Sequence, residues 1–262
     1  MRALDIAGTG MQAQQTNVEV ISNNIANMST TGFKRRRIEF QDLIYQNIRS
    51  VGSNSSDNGT VVPSGAQVGL GVKTAAIYRI TEQGTIAQTG NTLDLAIQGN
   101  GYFQITLPSG ETAYTRDGTF ALSPGGVVVT ADGYPVVPGI TVPTNAVSVT
   151  VNGAGQVQAQ ISGQTTPTTL GQFQLASFPN EPGLDAQGSN LFFESGASGT
   201  AVTGTPGSPG FGNIMQGYVE NSNVNIVTEI TNLITAQRSY EMNSKVITST
   251  DEMLQTLTNL HS

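Results

Sequence analysis

The sequence predicts an α+β protein: terminal α-helices pairing as a coiled coil, an extended arm, and an inserted all-β domain. Three observations carry that prediction. Apolar residues recur at every seventh position near both ends of the 262-residue chain. Short strand-like runs separated by turn residues fill the middle. Between the first helix and the strands lies a Gly-, Ser- and Asn-rich stretch with little periodicity. The implied segments are an N-terminal helix over 1–30, a connecting arm over 31–71, an all-β domain over 72–221 and a C-terminal helix over 222–262.

In the first helix, Leu4, Met11, Val18 and Ile25 stand seven apart, and Ala7, Gln14, Ile21 and Met28 follow three places on. That is an a/d pattern with one polar d position. At the other end Ile226, Leu233, Tyr240, Ile247 and Leu254 repeat the spacing, and Ile230, Val246, Met253 and Leu257 widen the stripe. Neither stripe stays soluble when bare. Pairing the two helices hides both and turns the middle into an insertion. The expected packing residues are Leu4, Met11, Val18, Ile21 and Ile25 against Ile226, Ile230, Leu233, Tyr240, Ile247, Leu254 and Leu257.

The other faces of the first helix carry few charges. Between Met1 and Phe33 only Arg2, Asp5 and Glu19 are charged, while Gln12, Gln15, Thr16, Asn17, Ser22, Asn23 and Asn24 fill the non-stripe positions. A solvated face normally carries Glu and Lys in i,i+4 pairs. Gly8 and Gly10 each cost about 1 kcal/mol relative to Ala. A helix this weak is expected to be ordered by several neighbours; an ordinary intramolecular coiled coil is the alternative.

Asn27 to Gly32 ends the helix, Gly32 being suited to a left-handed turn. Lys34, Arg35, Arg36 and Arg37 follow, four of the eleven Lys and Arg in the chain. The negative end of the helix dipole accounts for their position but not their number. Such a run reads as a solvated, nucleic-acid or membrane patch, or as an arm that docks on acidic surfaces of neighbouring copies. Residues 1–50 hold six bases and four acids, 51–221 three and ten, 222–262 two and four. A middle that acidic disfavours nucleic acid as its partner.

From Lys73 onward, runs such as "TAAIYRI", "LDLAIQGNGYFQI", "TAYTRDGTFAL" and "GGVVVTADGYPVV" alternate with turns. Asp117-Gly118 and Asp132-Gly133 read as hairpin-type turns. Signals for catalysis are poor. Gly8 to Ala13 fits G-x-G-x-x-A, but no strand precedes it, and Gly71 to Thr74 is not a P-loop. Asp94, Glu111, Asp117 and Asp132 could supply a glycosidase-like carboxylate pair, yet two of them sit in Asp-Gly turns.

Charged residues are 11% of the chain, against about 25% in an ordinary soluble domain. There is no Cys, which excludes disulfides and thiolate metal sites, and the single His, His261, reads as a surface residue. No cofactor or metal is expected. No run approaches the ~18 apolar residues of a membrane span, and residues 1–20 show no cleavable signal pattern.

"SNNIANMSTTGFKRRRIEF" (22–40) resembles the N-terminal signature of the bacterial flagellar rod and hook family, with Asn24, Ile25, Ala26, Asn27, Thr31, Gly32 and Phe33 at the hallmark positions. "LDLAIQGNGYFQI" (93–105) and "YTRDGTFALSPGGVVVTADGYPV" (114–136) look like its central β motifs, and "GYVENSNVNIVTEITNLITAQRSYEMNSKVI" (217–247) like its C-terminal signature. Length and the arm at about 46–63 look most similar to subunits of the distal rod. The resemblance implies a non-enzymatic subunit of a helical homo-oligomeric tube in the basal body, a rigid drive shaft and export channel spanning periplasm to outer membrane. The implied partners are further copies, proximal rod proteins, hook or hook-junction proteins, the surrounding P- and L-ring proteins, and the flagellar type III export apparatus. The last would export the chain without a cleaved signal peptide. Neither nucleic acid nor direct membrane insertion is implied. Lys34 to Arg37 are then expected to touch acidic groups on adjacent copies. Hook or proximal rod is the nearest alternative, and a secreted β-rich glycan-active enzyme the distant one.

Overall fold

Despite Gly8 and Gly10, the first periodic stretch forms one continuous helix, α1 (Arg2–Ala26). The computed structural model describes residues 2–49, 64–164 and 166–259. Residues 50–63 of the expected arm, His261 and the side chain of Leu257 lie outside them. Two compact units emerge: Met1–Ala26, Arg36–Tyr78 and Asn225–Ser262 form one, Asn27–Arg35 and Arg79–Val224 the other. Of the expected arm, residues 31–35 group with the β unit, and the described residues 36–49 and 64–71 with the helices.

The helical unit contains α1, four strands and a long C-terminal helix. The strands are β1 (Arg36–Asp42), β2 (Tyr45–Arg49), β3 (Ala66–Gly69) and β4 (Val72–Arg79). β1 pairs with β4, and β2 pairs antiparallel with β3. Backbone bonds from Leu43 to Gly71 (2.8 Å) and from Leu70 to Ile44 (3.2 Å) join the pairs into one two-stranded ribbon. Nearly all its side chains are exposed, Ile44 at 77%. Gly71, at φ +123°, lets the ribbon meet α1: a Cβ there would lie 2.2 Å from the Thr9 hydroxyl, which accepts the Val72 N–H at 3.3 Å.

The long C-terminal helix, Ile226–Asn259, is α2. It runs antiparallel to α1, with Asn24 opposite Glu229 and Gly10 opposite Asn243, fourteen residues apart on each helix. The expected seam needs correction. In α1 the buried residues are Ala7, Ala13, Val20, Ile21 and Asn24, whereas Leu4, Met11, Val18 and Ile25 are only half-buried. In α2 the buried positions are Glu229 and Ala236. Leu233, Ile247 and Leu254 are half-buried, and Ile226, Ile230 and Tyr240 are exposed. Small and amide side chains at the contact let the two backbones approach, so the seam is narrow. The broad apolar stripe of α2 exceeds what one partner helix can cover.

The β unit holds fifteen short strands among the described residues. In order they are β5 (Ile86–Gln88), β6 (Leu95–Gln98), β7 (Tyr102–Thr106), β8 (Thr112–Thr115), β9 (Ala121–Leu122) and β10 (Val128–Val129). Then come β11 (Ala146–Val151), β12 (Gln156–Ile161), β13 (Thr168–Gln172), β14 (Leu175–Ser177) and β15 (Asp185–Gly188). The last are β16 (Leu191–Phe193), β17 (Val202–Gly204), β18 (Asn213–Gln216) and β19 (Tyr218–Glu220). The central six-stranded sheet runs β15-β16-β8-β7-β14-β17, and β11-β12-β13 form a three-stranded sheet. β18 pairs with β6 and β19 with β5, so the end of the unit lies against its beginning.

Period-2 alternation decides which side chain goes to which face. Phe103, Ile105, Ala113, Leu175 and Leu191 join the main core with Leu95, Phe120, Val136, Val157 and Phe173. Their sequence neighbours Tyr102, Tyr114, Ala176 and Phe192 join a second cluster with Phe178 and Leu184. Both faces of the central sheet are thus covered. Asp132-Gly133 makes a tight turn, Gly133 at φ +86° donating to the Thr130 carbonyl. Asp117-Gly118 does not make a hairpin: β8 pairs with β7 and β16, and the Asp117 carboxylate instead accepts the Thr119 N–H and hydroxyl. Gly118 is required by proximity, since a Cβ would lie 1.7 Å from the Leu95 carbonyl oxygen.

Candidate functional site

The turn after α1 meets the middle and the end of the β unit in one knot. Thr30 and Phe33 bond back to Asn27 and Thr30, which reverses the chain. Gly32 follows at φ +69°, and a Cβ on it would stand 2.9 Å from the backbone of Arg116 and Asp117. Only glycine meets both demands, the left-handed backbone and the close approach. The Gly32 N–H donates to the Glu220 carbonyl at 2.7 Å, and Asn190 donates to the Thr31 carbonyl and to Asp117. The Thr-Gly and Arg-Asp-Gly motifs, far apart in sequence, are therefore two sides of one contact.

Glu220 sits at the centre. Its carboxylate accepts the Lys34 amine at 2.5 Å, the Arg116 Nε at 2.8 Å and the Gly84 N–H at 2.9 Å. Arg116 also donates to the carbonyls of Gly99 and Gly101, and Lys34 to that of Glu82. Burial pushes the Lys34 ammonium below its ordinary range, while Glu220 beside it pulls the other way. Asn223 completes the knot: its oxygen accepts the Arg35 N–H at 2.7 Å, and its amide donates to the Ile80 and Glu82 carbonyls.

The expectation of four outward cations therefore needs correction at Lys34. Its side chain is only 2% exposed and its amine is paired inside its own chain, because the turn at Gly32 directs it inward. Arg35 is half-buried and reaches Glu82 at 3.6 Å, whereas Arg36 and Arg37 are exposed. Three cations, not four, remain at the surface.

In the helical unit Asn24 is the buried member of its motif. Its oxygen accepts the Arg36 N–H at 2.8 Å, and its amide donates to the Arg36 carbonyl at 2.9 Å and to Glu229 at 3.2 Å. One side-chain amide thus stands in for a neighbouring strand and anchors β1 to both helices. Ile25 and Asn27 are half-buried and Ala26 is exposed. On α2, the hydroxyls of Thr231, Thr235, Ser239 and Thr250 donate to carbonyls four residues earlier. That turns their polar atoms into the helix and leaves methyl and methylene groups outward. Exposed Val227, Ile230, Ile234, Met242, Val246 and Met253 stand on the same helix.

Sequence reading missed Glu220, Asn223 and Glu229, although all three lie inside the C-terminal signature. Their signal was weak: an acid or an amide in a polar stretch looks like solvated surface. Two of the four acids considered for catalysis are engaged by neighbouring polar groups. Asp94 accepts from Thr89 and Asn91, Asp117 from Thr119 and Asn190, and no metal-binding group of acids occurs among the described residues.

Three family models match this architecture in chain order: flagella basal body rod protein over residues 4–34, flagellar hook protein FlgE/F/G D1 domain over 96–159, and flagellar basal body rod FlgEFG protein C-terminal over 215–260. The flagellar basal-body rod protein FlgG of Caulobacter vibrioides is 60% identical over 262 residues, all of both chains. The chain belongs to the flagellar rod and hook family. Other rod proteins of the family agree: FlgG of Agrobacterium fabrum is 54% identical over 97% of both chains, and FlgG of Bacillus subtilis 42% over 99% of both. These relatives are named as structural rod proteins, not enzymes, and the glycan-active reading is set aside. Gly32 and Asn24, both inside the segment that the rod-protein model matches, stand at the two contacts described above.

Proposed function

We propose that this chain is the subunit of the distal rod, assembling with further copies into a straight, rigid tube that carries torque from the motor to the hook. The observation that carries the reading is full-length similarity to basal-body rod proteins combined with a terminal helix left uncovered, Val227 at 75% and Ile230 at 45% exposed. A single partner helix leaves that stripe in water, whereas packing among several copies buries it. In this reading α1 and α2 pair as a coiled coil in the inner wall around the export channel, and the back-bonded hydroxyls of α2 leave fewer polar groups at the contacts between copies. The ribbon, with the stretch 46–63, bridges neighbouring subunits and suppresses sliding. Arg35, Arg36 and Arg37 contact acidic groups on adjacent copies. The ends of the tube join proximal rod and hook or hook-junction proteins, and the acidic β unit faces the P- and L-rings between periplasm and outer membrane. The chain arrives through the type III export apparatus with no signal peptide removed.

Electron microscopy of basal bodies from cells lacking this chain tests the reading. A rod that stops short, without hook or outer rings, is the expected result. A complete rod missing only its hook would assign the chain to the hook instead.

A further inference from the structure

The knot in the β unit contains an order of events. Lys34 and Arg116 are both buried, and among the described residues Glu220 is the ion-pair partner of each. The carboxylate follows its cations by 186 and 104 residues. All six strands of the central sheet are complete by Gly204, before Glu220 is made. Without Glu220, closing the unit would leave two cations out of water with only the carbonyls of Glu82, Gly99 and Gly101 as acceptors. Glu181, the other acid near Lys34, is engaged by the Tyr102 hydroxyl at 3.1 Å. An uncompensated buried charge is strongly unfavourable, whereas a paired and fully hydrogen-bonded one is tolerated.

We propose that Glu220 is a completion latch: the β unit closes around Lys34 and Arg116 only when this last strand supplies their shared carboxylate. The surrounding bonds make the latch a junction of three chain passages. Residues 32–35, 80–84 and 219–223 are tied together by Glu220 and Asn223, so the beginning of the unit cannot dock until its end is present. A chain made from its N-terminus therefore keeps its β region open until the C-terminal segment arrives. That property does not depend on the assembly into which the protein goes.

The test is pulse proteolysis of the full-length protein, with cleavage mapped to residues 79–224. Glu220→Gln preserves shape and removes the charge. Removing one partner of a buried pair is expected to raise the fraction cleaved through opening by about two orders of magnitude. Lys34→Met in the Glu220→Gln background removes one orphaned cation and is expected to restore at least about tenfold of that protection. Glu220→Gln cleaved at the parent rate would overturn the proposal. A double variant as labile as Glu220→Gln alone would also overturn it, because Glu220 would then act through packing rather than as counter-ion.

Discussion

The two units of this protein solve the problem of burial in opposite ways. The β unit closes on itself: its central sheet has apolar clusters on both faces, and its buried cations find a carboxylate in the same chain. The helical unit buries little beyond a narrow seam of alanines, Val20, Ile21, Asn24 and Glu229, and leaves much of the apolar stripe of α2 in water. A unit closed in this way has its energetics inside one chain. A unit left open has part of its energetics in whatever packs against it. The same substitution should therefore read out differently in the two: as stability in the β unit, as assembly on α2.

The largest effect expected from a single residue is in the β core. Phe103 is fully buried and packs edge-on against Phe120 and Phe173. Phe103→Ala is expected to cost about 3–5 kcal/mol of β-unit stability. Denaturant unfolding of the monomer checks it; a loss as small as that of a surface substitution would break the contrast between the units. Next comes Gly32→Ala, where a left-handed backbone and a close backbone contact combine. About 1–3 kcal/mol is expected from the backbone strain, read from the same transition.

Asn24→Ala tests the one polar anchor of the helical unit. It strips partners from the Arg36 N–H, the Arg36 carbonyl and Glu229, and is expected to cost about 1–3 kcal/mol. Hydrogen exchange at Arg36 and along α1 should rise, while exchange in the central sheet should not. Ile230→Ser gives the smallest monomer effect, within about 0.5 kcal/mol, because the residue is already exposed. Sedimentation should nonetheless show lost self-association; unchanged assembly would mean that the open face of α2 is not where copies meet.

A pH dependence sharpens the same comparison. Burial, and then the nearby Glu181, hold the Tyr102 phenol well above its ordinary value of 10.0. The folded β unit keeps that proton where the unfolded chain releases it, so stability falls as pH rises past 10.0. Tyr114 shifts in the same direction. Tyr102→Phe is expected to flatten the alkaline loss, seen as a smaller drop in Tm above that pH.

Much of the organisation was legible in the chain. Seven-residue spacing located both helices, alternation located the strands of the central sheet, and the motifs around Asn24, Gly32 and Arg116 pointed to the family. The division into units was less so. Nothing local in "KRRR" separates Lys34 from Arg36, because the difference lies in the turn that sends one inward and leaves the other outside. The helix seam misled for a related reason. Spacing marks an apolar stripe but not how much of it one neighbour covers, and the row that meets α1 is occupied by Glu229, Ala236 and Asn243.

Periodicity, turn chemistry and low charge, all properties of neighbouring residues, were determined by the sequence alone: two helices, an inserted β region and faces suited to protein rather than water. Tertiary structure alone decided which polar residues are buried and with whom. Glu220 becomes the counter-ion of Lys34 and Arg116, and Asn24 the surrogate strand for Arg36, only when distant segments converge. The physical reason is that an ion pair or a hydrogen bond depends on separation in space, whereas a sequence records separation along the chain.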